Sequence, residues 1–207
     1  MTTILTLLMP TRNRAEYLAA GVDYFLKSTR DDIELIVSDA SDTHEHCQKA
    51  LAPWHADPRL VLIDNSVRTT GKLSSMTENW SRALDRARGR WLAIVGDDDV
   101  CDPAVVEFIE QVETLTIGIE AVTWHSAHFD IGIEKPREAK IPLGNRIFVA
   151  SGRDSVIKQA QWPDTKKPPT SLCSPYHGAV SIDLLRRLKV ERGGAWFRFR
   201  IPDYDLG

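Results

Sequence analysis

Four short apolar runs, each closed by a polar loop, constrain this chain more than any other feature of its sequence. They are Thr3 to Met9, Ile33 to Val37, Arg59 to Ile63 and Trp91 to Val95. A mostly apolar run without polar alternation is the pattern of a strand buried on both faces. After the first run, Tyr17, Leu18, Val22, Phe25 and Leu26 recur at helical spacing over Ala15 to Leu26. After the third, a helix is expected over Ser75 to Ala87, with Met76, Trp80, Ala83, Leu84 and Ala87 on one face and Gly89 as its stop. Pro103 then opens a helix over Ala104 to Val112. Strands alternating with helices at these lengths predict an α/β fold with a mostly parallel central sheet and helices on both faces, as one domain spanning 1–207. Ligands of such sheets bind beyond the carboxyl ends of the strands.

The second half is less regular. Glu120 to Trp124 and His177 to Ser181 read as strands, and Asp183 to Leu188 as a helix. Between them, Glu134 to Asn145 is a loop, and Trp162 to Tyr176 holds Pro163, Pro168, Pro169 and Pro175, too many for regular structure. A long loop in a compact domain suits a lid or a substrate-binding element.

A formal charge of -3 argues against nucleic acid or an anionic membrane as partner, so an anionic ligand must be held by local groups or by a metal. Cys47, Cys101 and Cys173 are too widely spaced for a disulfide framework or a zinc motif, and the odd count points to a reducing compartment. The N-terminal apolar run ends at Pro10-Thr11-Arg12, too short for a transmembrane helix and unlike a signal peptide. The expected location is the cytoplasm, with peripheral contact at the inner membrane face left open.

The fourth strand runs straight into Gly96-Asp97-Asp98-Asp99. Three adjacent like charges repel, and a hard divalent cation compensates them while leaving positions for phosphate oxygens. A solvated turn before the next helix is the alternative, although Asp102 alone can cap that helix. On these residues alone, both readings stay open.

The motifs taken together are more specific. Pro10-Thr11-Arg12-Asn13-Arg14 follows the first strand, Ser38-Asp39-Ala40-Ser41-Asp42 the second and Gly96-Asp97-Asp98-Asp99 the fourth. With Asn79-Trp80-Ser81-Arg82-Ala83-Leu84 they resemble the GT-A-fold glycosyltransferases of family 2. The resemblance weakens from Thr114 to Pro175 and returns at Pro202-Asp203-Tyr204-Asp205-Leu206. It implies a GT-A (Rossmann-like) nucleotide-diphospho-sugar transferase fold, with a donor half at 1–113 and an acceptor half at 114–207 that stops short at Gly207.

The resemblance also implies roles. Pro10, Thr11 and Asn13 line the nucleoside pocket, and Asp39 meets the base. Asp97 and Asp99 flank the X of a DXD motif. Asp97 and Asp98 then face the donor, while Asp99, with Asp97, holds Mn²⁺ or Mg²⁺. Asp203 is the catalytic base, with Asp205 as its rival. The implied reaction is metal-dependent, inverting transfer of a sugar from a nucleoside-diphosphate donor, UDP-sugar first, to a hydroxyl of a saccharide or glycolipid, as in polysaccharide biosynthesis. Lys72, on the loop after the third strand, is placed to touch a phosphate by position rather than by resemblance.

Each residue has a structural alternative. Asp39 can make an Asx-turn, Asp203 can cap a helix, and His177 can be structural. His44 and His46 beside Cys47 look like half a metal site. Trp162 and Trp196 are candidates for stacking on a sugar. For the whole chain, the rivals are a nucleotide-sugar-binding scaffold without turnover and a nucleotidyltransferase. The second is disfavoured because Pro10 to Arg14 holds no glycine.

Overall fold

The computed structural model describes residues 2–124, 149–154 and 177–197. Asp203, Asp205, Trp162, Cys173 and both expected long loops lie outside the described residues. Strands β1 (Leu5–Thr11), β2 (Ile33–Asp39), β3 (Leu60–Asp64) and β4 (Trp91–Ile94) fall on the four apolar runs. They pair in parallel, β1 with both β2 and β4, and β2 with β3. Strands β5 (Ala121–Thr123) and β6 (Gly178–Ser181) complete a six-stranded sheet in the order β3-β2-β1-β4-β6-β5, with β6 antiparallel to both neighbours.

Helices cover both faces, as the apolar runs require. Helix α1 (Ala15–Leu26) and helix α5 (Val105–Leu115) lie on one side. Leu18, Val22, Phe25, Val106, Ile109 and Val112 pack there against Leu5, Leu7, Met9, Leu35 and Val37. Helices α4 (Met76–Leu84) and α6 (Ile182–Glu191) lie on the other, where Trp80, Leu84 and Leu185 meet Leu8, Ile36, Leu92 and Ile94. Successive side chains of β1 point to opposite faces, so a strand apolar at nearly every position serves both cores. Trp196 belongs to the second core, with its indole N–H donating to Asp85 at 2.8 Å, so it offers no face for a sugar.

Two short helices, α2 (Glu45–Ala50) and α3 (Val67–Thr70), and a 3-10 turn at Ala52–Trp54 lie in the connections. Helix α4 starts in a capping box made by Ser75 and Glu78 and stops at Leu84, earlier than its apolar pattern suggests. Beyond that point the backbone is diverted. The N–H groups of Arg88 and Gly89 donate to the buried Glu34 carboxylate, at 2.6 and 3.3 Å, and Gly89 N–H also donates to Thr6 Oγ1. A Cβ on Gly89 would lie 2.4 Å from the Thr6 nitrogen, so only glycine allows this approach. These bonds sit at the amino ends of the strands. The opposite rim carries the polar loops.

Candidate functional site

Register aligns the site. Thr11 is paired with Asp39, and Asp39 with Asp64, while Leu8 is paired with Ile94 three residues before Thr11 and Asp97. Asp64, Asp39, Thr11 and Asp97 therefore form one row across the carboxyl ends of β3, β2, β1 and β4. The row spans the point where the strand order runs outward in both directions from β1, which is where open α/β sheets hold ligands.

The acidic run divides by environment. Asp97 is buried at 6% exposure, and its Oδ2 accepts from the Thr11 hydroxyl at 2.8 Å. Arg14 lies 3.4 Å from Asp97 Oδ1, reaches Asp98 with its other end, and stacks over the Tyr17 ring at 5.0 Å. Asp99 is exposed, and its carboxylate takes no hydrogen bond or ion pair from the described residues. Helix α1 seats the loop. Gly21 lies where a Cβ would come within 2.8 Å of the Asp99 carbonyl, and Tyr24 hydroxyl donates to Asp102 at 3.3 Å. Arg14 has no role from the sequence although it stands just past the first strand's end, because its acidic partners lie more than eighty residues away.

The β1 and β2 loops clasp each other. Asn13 has φ 54°, a left-handed conformation that asparagine tolerates better than most residues. Its N–H donates to Ser41 Oγ at 2.7 Å. Its side chain and Asp42 exchange two bonds, Asn13 Nδ2 to Asp42 Oδ2 at 3.2 Å and Asp42 N–H to Asn13 Oδ1 at 3.0 Å. Asp39 is fully buried. Its Oδ1 accepts from Ser41 N–H at 2.9 Å, the Asx-turn, and its Oδ2 lies 2.7 Å from His44 Nδ1. Its carboxylate thus faces inward and shapes the loop.

Beneath the row, Asn79 of α4 ties the strands together. Ser38 hydroxyl and Asn65 Nδ2 both donate to Asn79 Oδ1, at 2.8 and 2.9 Å, and Arg82 donates to Asn65 Oδ1 at 2.9 Å. Buried amides are expensive unless paired, so this network holds the loop bases in one arrangement. Lys72 is on the same rim, with its ammonium 2.5 Å from Glu78 in an exposed pair. The Glu78 carboxyl is held down to about 2 by Lys72 and by the Ser75 N–H. His177 opens β6 on this rim, exposed, with its carbonyl accepting from Trp124 N–H at 2.9 Å.

The described part of the chain bears a family signature over most of this architecture. The family described as Glycosyl transferase family 2 matches residues 6–152, well over half of the chain. The chain belongs to this family. Solved structures agree on a GT-A glycosyltransferase fold. The mannosyltransferase PcManGT from Pyrobaculum calidifontis, in complex with GDP-Man and Mn²⁺, superposes with a TM-score of 0.56 at 18% identity, covering 91% of this chain and 47% of that one. TarS 1-349 of S. aureus in complex with UDP-GlcNAc gives 0.61 at 14% identity, covering 90% and 48%. Glucosyl-3-phosphoglycerate synthase from Mycobacterium tuberculosis, with Mn²⁺, UDP and glucosyl-3-phosphoglycerate, gives 0.50 at 16% identity, covering 88% and 58%. This family 2 chain thus spans about half the length of the first two. No curated protein matches it by sequence. No helix among the described residues is long and apolar enough to cross a membrane.

Burial is the largest influence on Asp97 and pushes its carboxyl above the ordinary range. The Thr11 hydroxyl and Arg14 oppose this, and Asp98 adds to it. A carboxyl raised on folding makes the folded state the tighter proton binder, so its ionisation costs stability once pH passes the ordinary carboxylate value. Asp97→Asn keeps an acceptor for Thr11 and removes that cost. The variant is expected to melt above the parent at pH 7, with the gap closing as pH falls below about 4. Paired melting curves across that range check it; a variant that melts lower at pH 7 would show the charge to be net stabilising.

Proposed function

We propose that this chain binds a nucleoside-diphosphate sugar at the row Asp64–Asp39–Thr11–Asp97 and transfers the sugar to a hydroxyl acceptor with inversion. The observation that carries this reading is the division of the acidic run: Asp97 and Asp98 are engaged by Thr11 and Arg14, while Asp99 stands open at the rim. A hard ion such as Mn²⁺ or Mg²⁺ fits one or two carboxylates and otherwise takes phosphate and solvent oxygens. Asp99 would hold it, with Asp97 behind. Bound there, the ion supplies Lewis-acid stabilisation of charge on the departing diphosphate.

The chain's own residues supply the rest. Pro10, Thr11 and the clasped Asn13 form the floor against which the nucleoside lies, and Asp39 sets the base-side wall by holding Ser41. Asp97 and Asp98 meet the ribose side of the donor, and Lys72 exchanges Glu78 for a phosphate oxygen. Asp203, at the segment resembling the family's base, takes the acceptor proton as the hydroxyl oxygen attacks the anomeric carbon and the diphosphate departs from the opposite face. A placed base of this kind is worth about 10²–10⁴ in rate.

Calorimetry with UDP, then GDP, in the presence and absence of Mn²⁺ tests the reading. Nucleotide binding that is strengthened at least about tenfold by Mn²⁺ is expected. Heat that ignores the metal, or no heat with either nucleotide, sinks it.

A further inference from the structure

Behind the rim lies a cluster whose imidazole and thiol the proposed glycosyl transfer does not use. Asp39, His44 and Cys47 each offer one ligand atom, all within 4.8 Å of one another, and all three residues are buried. They are 0%, 8% and 1% exposed. The inward turn of the Asp39 carboxylate creates the site, and the start of α2 supplies the rest: His44 occupies the N-cap position just before the helix and Cys47 stands one turn later on the same face. Cys47 is the buried residue of that helix.

We propose that Asp39, His44 and Cys47 form a second, softer metal site, selective for Zn²⁺ over Mg²⁺ or Mn²⁺, in which the ion replaces the proton held between Asp39 and His44. The ligand chemistry decides the metal. Thiolate, imidazole and carboxylate together suit zinc, whereas magnesium and manganese prefer oxygen. His44 Nδ1 and Asp39 Oδ2 are 2.7 Å apart, and two ligands of a tetrahedral zinc stand about 3.3 Å apart, so a shift of well under 1 Å opens the space. The fourth position falls to solvent. The His44 side chain, one-tenth exposed, provides the route in. Zinc binding forms a sulfur–metal bond and releases the Cys47 proton to solvent, while the proton displaced from between Asp39 and His44 Nδ1 moves to His44 Nε2. This site shares only Asp39 with the donor reading, and its test uses neither Asp99 nor a nucleotide.

Cobalt is the probe. The full chain, reduced and free of nucleotide, is titrated with Co²⁺. One ion per chain is expected, with a near-ultraviolet sulfur-to-cobalt band and the visible bands of a four-coordinate ion, all bleached by one equivalent of Zn²⁺. Cys47→Ser removes the near-ultraviolet band. His44→Ala weakens cobalt binding by more than the roughly tenfold that loss of a supporting partner costs. Cys101→Ser, Cys173→Ser and Asp99→Asn keep the band. Zinc also raises the melting temperature of the parent chain, which needs no variant to read. A parent chain with no sulfur band, or a band that survives Cys47→Ser, overturns the proposal, as does a melting temperature indifferent to zinc.

Discussion

Asp99→Ala is expected to lower sugar transfer by about 10³-fold or more while leaving the fold intact. The reason lies in the side chain's surroundings. Asp99 is exposed and accepts nothing from the described residues, so its removal orphans no donor and its structural cost stays within about 0.5 kcal/mol. What it removes is the open carboxylate proposed to hold the ion against the diphosphate. Losing several kcal/mol of charge stabilisation in the transition state translates to about tenfold in rate for each 1.4 kcal/mol. Turnover of a labelled donor, measured with and without Mn²⁺ beside a melting curve, separates the two effects. An active variant that still responds to Mn²⁺ would place the ion elsewhere.

Gly21→Ala is expected to divide stability from activity in a different way. Alanine in a helix interior is favoured over glycine by about 1 kcal/mol, so the exchange at mid-α1 looks stabilising from the helix alone. In the folded chain the new methyl would meet the Asp99 carbonyl at 2.8 Å and Met9 Cε at 3.0 Å. The Met9 side chain can yield, but the carbonyl is backbone and must move with its loop. Helical gain and clash then offset each other in the melting temperature, while the acidic run is pushed outward. A displacement near 1 Å at a reacting centre costs about 10²-fold. The expected result is near-parental melting with transfer and Mn²⁺-dependent nucleotide binding both reduced by about that factor. Unchanged turnover would mean that α1 does not set the position of Asp99.

Much of the architecture was legible because burial on both faces leaves a strong mark on composition. Leu5 to Met9 and Ile33 to Val37 could be little else than central strands, and their polar loops had to share a rim once the strands were parallel. Helix α2 was not legible. Its residues Glu45-His46-Cys47-Gln48-Lys49-Ala50 bury only Cys47, so no apolar period exists to be read. The early stop of α4 was hidden for another reason: its apolar face continues to Ala87, but Glu34, more than fifty residues away, draws off the backbone of Arg88 and Gly89. Trp196, a candidate for sugar stacking by sequence, instead fills a core position against α4 and α6 that the irregular sequence around it conceals.

The candidate site shows the same split. Which residues stand at the strand ends is a property of the sequence, since register follows from apolar runs of nearly equal length. How each carboxylate is used is a property of the fold. Asp39 and Asp97 are both aspartates closing buried strands, yet one turns inward to Ser41 and His44 and the other to Thr11 and Arg14, leaving Asp99 alone in the open. Local sequence determined the strands, the helices with a clear apolar face and the rim they share, because period and burial act over a few residues. Only tertiary structure decided which carboxyls of the acidic run are satisfied and which remains available, because the donors that settle it, Thr11 and Arg14, lie more than eighty residues away in the chain.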